Sequence, residues 1–142
     1  MQRDLFRHAF VILFAAFILG LVAGSMTGQP TARLWLAAHI TGILVSLLLV
    51  AVGVVLPHLN LSDGQRRWLF RFAVIGNWIG LLVLGVFGSA IGAAAPIASP
   101  AALPPIAAWQ QSVISGAIAS VTVTSFGTVV LVLLGLRGDP PR

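Results

Sequence analysis

Residues Arg33 to His58 read RLWLAAHITGILVSLLLVAVGVVLPH. This is a run of uncharged residues long enough to cross a bilayer, interrupted by one ionisable group, His39. An ionisable side chain in hydrocarbon is costly, so it is kept where it faces a partner, a cavity or a cofactor. On the helix this run predicts, Gly42, Ser46 and Gly53 fall on the face of His39. That face suits a large flat ligand or a closely packed neighbouring helix.

The rest of the chain agrees with a membrane reading. Of 142 residues, 58% are hydrophobic and only 8% charged, against about 25% charged in soluble domains. The chain is therefore expected to be one all-α membrane domain spanning residues 1–142. No acidic or basic side chain occurs between Ala9 and Ala32, which exceeds the ~7–15 apolar residues of a signal-peptide core and predicts a first spanning helix over about 5–26. Gly28, Gln29 and Pro30 end it, and the second helix runs over about 31–56 until Pro57 stops it. The loop HLNLSDGQ carries Ser62 and Asp63 as caps for a third helix over about 66–93. Its glycines at 76, 80, 88 and 92 form two G-x-x-x-G pairs that admit a close neighbour. The segment Ala94 to Pro105 is too rich in proline for a helix. A fourth helix follows over about 106–136, with Ser112, Ser115, Thr122 and Ser125 as a weakly polar stripe, and Asp139 to Arg142 is a short tail.

Arginine supplies every strong positive charge, as the chain has no lysine. Arg3, Arg7, Arg66, Arg67, Arg71, Arg137 and Arg142 lie at the two ends and in the second loop, and Arg33 alone lies in the first. The positive-inside rule then places both termini in the cytoplasm and predicts an up-down-up-down four-helix bundle in a bacterial-type inner membrane. Arginines at helix ends read topology, so the positive net charge implies no nucleic acid partner. The chain has no cysteine, which excludes disulfides and thiolate metal sites. Asp4, Asp63 and Asp139 all sit in tails or loops, which leaves no Ser–His–Asp arrangement or paired carboxylates within the membrane.

At ~1.5 Å of rise per residue, His39 lies roughly 9 Å below one membrane edge and Asn77 roughly 9–16 Å above the other. In a core of ~30 Å the two are near enough in depth to share a pocket. Trp78 sits beside Asn77 in mid-helix, whereas Trp35, Trp68 and Trp109 fall where interfacial belts belong. For each candidate a plain reading stands beside the functional one: a hydrogen-bonded neutral imidazole for His39, an interhelical contact for Asn77, packing for Trp78, an interfacial residue for His8, a solvated loop residue for His58, a membrane-surface arginine for Arg33.

The pattern A-H-x-x-G at Ala38, His39 and Gly42, followed by L-P-x-L-x-L at Leu56, Pro57, Leu59 and Leu61, resembles the hydroxylaminobenzene mutase and styrene oxide isomerase family of small four-helix membrane proteins. His8 in RHAFVILF and Asn77 with Trp78 in GNWIG agree with that resemblance, and the polar start of the last helix at Gln110 and Gln111 agrees in general character. The resemblance implies haem b with His39 as its axial ligand, an apolar bundle being a suitable solvent for a porphyrin. Under it, Gly42, Ser46 and Trp78 would line the cofactor, Arg33 would pair with a propionate, His8 would stand at the cofactor edge, and Asn77 would orient substrate. It further implies a homo-oligomer, a trimer, acting on a small apolar aromatic substrate.

The chain departs from the family in carrying Val45 where an asparagine commonly stands six residues after the histidine, and in lacking tyrosine altogether. The polar groups left to orient an epoxide are Asn77, Ser46 and Gln110 or Gln111, which predicts weak or altered activity on styrene oxide itself. The expected activity is isomerisation of an aryl epoxide or aryl hydroxylamine with ferric haem as Lewis acid. A non-catalytic haem protein for electron transfer or gas sensing, and a cofactor-free structural or transport subunit, are the competing readings.

Overall fold

The computed structural model describes residues 1–29, 31–92 and 106–137. Among them there is no strand, and four helices are long and apolar enough to cross a membrane. Helix α1 spans Gln2–Ser25 and α2 spans Ala32–Val55, closed by a 3₁₀ turn over Leu56–His58. Helix α3 covers Asp63–Ala90, and α4 covers Ala108–Gly135. The expected spans are thus present with ends moved by a few residues. Pro30, the segment from Ala94 to Pro105 and the tail from Asp139 lie outside the described residues.

Local chemistry explains the helix ends. Ser62 caps α3 in a reciprocal box: the Gln65 backbone N–H donates to Ser62 Oγ at 3.3 Å, and the Ser62 N–H donates to Gln65 Oε1 at 2.9 Å, satisfying two donors that a helix start leaves free. The same box starts α3 at Asp63, one turn earlier than the arginine cluster alone indicates. At the start of α4, Gln110 Oε1 accepts from the Ala107 N–H at 2.8 Å. That contact ties Gln110 to its own helix end rather than to a substrate.

The L-P-x-L-x-L stretch forms the turn between α2 and α3. Leu56, Leu59 and Leu61 are buried, and Arg66 donates to the carbonyls of Leu59 and Leu61 at 3.1 Å each. The Asn60 N–H reaches the Gly135 carbonyl at 2.8 Å, fastening the turn to the end of α4.

The glycines fix helix order and direction. A Cβ on Gly42 would meet Ala16, and one on Gly53 would meet Phe6. Residue numbers rise on α2 as they fall on α1, so the pair is antiparallel. Ala38 approaches Gly85 and Leu81 approaches Gly42, giving the same relation between α2 and α3. Gly76 faces Thr124 and Gly127 faces Phe72, which sets α4 antiparallel to α3. The chain is therefore an up-down-up-down bundle whose contacts are made where one helix lacks a side chain, the means by which helices associate in an apolar solvent. Helices α1 and α4 form its edges and do not pack along each other.

Two departures from regularity shape the spaces between the helices. Residues Gly80–Phe87 of α3 form π-helical turns, where the expectation was one regular helix. Helix α4 is the least enclosed, with 11% of its most apolar stretch buried against 44% for α3. Its Ser112 and Thr122 hydroxyls donate to carbonyls four residues back on their own helix, so these two members of the stripe are satisfied without a partner helix.

Candidate functional site

His39 lies at the edge of the buried face of α2, half-buried against α1. Its Nδ1 stands 2.7 Å from the Ala16 carbonyl oxygen. A carbonyl only accepts, so Nδ1 carries the proton and donates, and in the neutral imidazole Nε2 keeps its lone pair. The Ala16 carbonyl has a second lone pair beyond the one its helix uses, and it is reachable because Gly20, one turn further on, has no side chain. A Cβ on Gly20 would lie 2.8 Å from His39 Nδ1 and 2.9 Å from Cε1. Gly20 is therefore the cradle of the imidazole.

The ring opens onto a cleft of about 870 Å³ between α1 and α2. Phe17, Leu21 and Leu36 supply apolar walls, and Arg33, Thr27 and Gln29 line it too. Six residues separate Arg33 from His39, so the guanidinium is attached roughly 9 Å further along the helix axis. Among the described residues no three His, Cys, Asp or Glu side chains converge on a metal position. A solitary imidazole with a fixed Nδ1–H fits a metal group that brings its other donors with it, as a porphyrin does, and an arginine in the same cleft fits its carboxylates. The residues present thus suit haem b.

The other candidates do not join this cleft. Asn77 is 7% exposed and lines a different cavity, of about 320 Å³, among α2, α3 and α4. The expected pocket shared by His39 and Asn77 within one chain is therefore corrected to two. Similar depth along the membrane normal leaves azimuth open: Ala38 points to α3 while His39, one residue on, points to α1.

Gly42 and Ser46 are buried and line neither space. Of the two occupants suited to their face, the neighbouring helix is the one present, since Gly42 lies against Ala16 and Leu81. His8 and Trp78 form a third group. Trp78 Nε1–H donates to His8 Nδ1 at 3.2 Å, with Phe70 edge-on to the imidazole at 6.1 Å between centroids. His8 sits eight residues before Ala16 on α1, roughly 12 Å along the axis from the carbonyl that holds His39. Neither His8 nor Trp78 lines the His39 cleft. His58 is exposed in the turn after α2.

Sequence reasoning missed Ala16 and Gly20. Within α1 nothing distinguishes Gly20 from Gly24, around which a Cβ would meet nothing; only the register of α1 against α2 separates them.

Comparison with known proteins identifies the family. The family model described as styrene oxide isomerase matches residues 1–137. Hydroxylaminobenzene mutase HabB of Ectopseudomonas oleovorans is 34% identical over 147 aligned positions, covering 99% of this chain and 87% of that protein. Hydroxylaminobenzene mutase HabA of the same organism is 26% identical, covering 96% and 98% respectively. No solved structure matches the chain. With a family match over nearly its whole length and a relative above 30% identity, the chain belongs to the styrene oxide isomerase family and is an isomerase.

Proposed function

We propose that this isomerase rearranges a small apolar aryl hydroxylamine, hydroxylaminobenzene first, or an aryl epoxide, without net redox change, at haem b held by His39. The observation that carries the reading is the Nδ1–H bond from His39 to the Ala16 carbonyl at 2.7 Å, which leaves Nε2, with its lone pair, as the atom that would hold a metal. When bound, ferric haem supplies a Lewis acid for the oxygen or nitrogen of the breaking bond.

The protein's own residues do the rest. Ala16 fixes the orientation and tautomer of the imidazole, and Gly20 leaves it room. Arg33 offers a charged partner to a carboxylate at the cleft. Phe17, Leu21 and Leu36 keep the cleft apolar, which excludes water that would otherwise add to the opening substrate. The hydroxylaminobenzene reading is favoured over styrene oxide by the two mutase relatives and by the absence of tyrosine. The setting proposed with it is a bacterial-type inner membrane, both termini cytoplasmic, in a homo-oligomer, a trimer. In support, the cleft opens on the outside of the bundle, and large apolar side chains such as Phe10, Phe14 and Phe126 are exposed.

The test is spectroscopic and catalytic. Detergent-purified protein should show a Soret band and convert hydroxylaminobenzene without added reductant. His39→Ala should lose both while keeping its helical circular dichroism, and His58→Ala should keep both. A wild-type spectrum in His39→Ala would overturn the assignment.

A further inference from the structure

Three arginines crowd the start of α3, and the fold uses one of them. Arg66 donates to the carbonyls of Leu59 and Leu61. Arg67 and Arg71 are exposed, and among the described residues neither forms an ion pair, Asp63 one turn before Arg67 included. The two are four residues apart, so they are neighbours on the helix surface, where like charges repel. Arg71 reaches back one turn along α3: its guanidinium carbon lies over the Trp68 ring, 5.4 Å from the centroid. That posture brings its charge to the level of Arg67 and to the rim of a groove.

The groove runs between α3 and α4, has a volume of about 380 Å³ and is lined by Gln65, Trp68 and Phe72 on one side and Gly127, Val130 and Leu131 on the other. Trp68 and Phe72 form one aromatic wall, with ring centroids 5.4 Å apart. Gly127 opens the facing wall, since a Cβ there would meet Phe72 Cδ2 at 2.6 Å. Trp68 and Val130 are 53% and 49% exposed, so the groove is open sideways to the surrounding phase. From Gln65 to Phe72 it extends roughly 10 Å along the helix. Topology alone needs positive charge at this end of the bundle. It does not need an apolar channel leading away from that charge.

We propose that this groove binds one phospholipid with an anionic headgroup, its phosphate between Arg67 and Arg71 and an acyl chain along the Gly127 notch against Trp68 and Phe72. Guanidinium groups match phosphate oxygens in geometry as well as charge, and basic pockets between spanning helices suit anionic headgroups. A neutral lipid leaves the paired arginines uncompensated. A soluble phosphate leaves the aromatic wall bare. The proposal rests on the bilayer setting given above and on neither haem nor turnover, so its experiment reads neither.

The probes are dimyristoylphosphatidylglycerol and dimyristoylphosphatidylcholine, which share their chains, titrated into the detergent-purified full chain and counted by native mass spectrometry. One phosphatidylglycerol per subunit should bind about five- to thirtyfold more tightly than phosphatidylcholine, the contribution of one to two surface arginines. The double variant Arg67→Gln/Arg71→Gln should reduce that preference to twofold or less. Arg3→Gln/Arg7→Gln, which removes equal charge at the start of α1, should retain it. Val130→Trp fills the groove from an exposed position and leaves every arginine in place, and it should lose the tightly bound lipid while keeping its helical circular dichroism. Excess glycerol phosphate should not displace the lipid. Equal affinity for the two lipids would overturn the proposal, as would equal losses in the two arginine pairs, which would reduce the effect to general surface charge. Wild-type binding by Val130→Trp, or a change in subunit number in that variant, would also overturn it, because the groove would then hold no chain or would be covered by a second copy of the protein.

Discussion

The cleft beside His39 and the cavity beside Asn77 are built from the same kind of helix and arrive at opposite solutions. In the cleft a polar group is fully engaged on one side: His39 Nδ1 is bound to Ala16 and only Nε2 remains available. In the cavity the polar group is left open, with Asn77 Nδ2 buried and unpaired. The cleft is wide and carries an arginine; the cavity is under half its volume and carries no charge. A donor atom for a metal must be aimed before the metal arrives, and a backbone carbonyl one helix away does this rigidly. The difference lies in how each polar side chain is held: one is bonded to the backbone of a neighbouring helix, the other has a donor without a partner among the described residues.

The sharpest way to break the comparison is to disturb one side without touching a ligand atom. Gly20→Ala adds a single methyl group 2.8 Å from His39 Nδ1, so the ring must turn away from Ala16. Loss of such an orienting contact costs about 10- to 100-fold in metal-group affinity, and the Soret band at fixed haem concentration should fall accordingly. On helix propensity alone the same change stabilises α1 by about 0.8–1 kcal/mol. A wild-type Soret band in Gly20→Ala would show that the Nδ1 contact has no part in holding the cofactor.

Gly42 lies between the two regions, and its substitution should damage both. A Cβ there would meet Ala16 Cβ at 2.7 Å and Leu81 Cδ1 at 3.2 Å. The first of these is anchored directly to the α1 backbone, so the helices themselves must shift. Overpacking of this kind costs about 1–3 kcal/mol, and Gly42→Ala should lower the thermal midpoint. Gly116→Ala, where nothing lies within 4 Å of the new carbon, should leave it unchanged or raise it. Equal midpoints for the two variants would mean that α1 and α2 are not held by this contact.

The helices were legible because hydropathy, proline and capping residues act locally. Pro57 closes α2 and Ser62 opens α3 as their chemistry requires, and His39 stands out as the one ionisable group in an apolar run. What could not be read was which side chains meet. Whether His39 turns toward α1 or α3 depends on the rotation of α2 about its axis, which three faces of nearly equal hydrophobicity leave undetermined. For the same reason the sequence showed Trp78 and His8 as separate motifs and gave no sign of the hydrogen bond between them. The π-helical turns of α3 were invisible because GLLVLGVF is as apolar in a regular helix as in a widened one.

The smallest expected effect concerns Arg33, the one charged residue among the described residues that line either space. It is exposed at the cleft, so a pairing with a haem carboxylate is screened by solvent and contributes at most about 1 kcal/mol. Arg33→Gln removes the charge and leaves a shorter side chain that still carries hydrogen-bond donors. Titration of haemin into cofactor-free protein should show affinity reduced by no more than about fivefold, with the Soret maximum unmoved. Salt should narrow the gap between wild type and variant, because at ~1 M ionic strength the screening length falls to ~3 Å. A salt-independent loss would identify a packing role for the arginine stem. Complete loss of binding would make Arg33, rather than the Nδ1–Ala16 contact, the main determinant of the cleft's affinity for haemin.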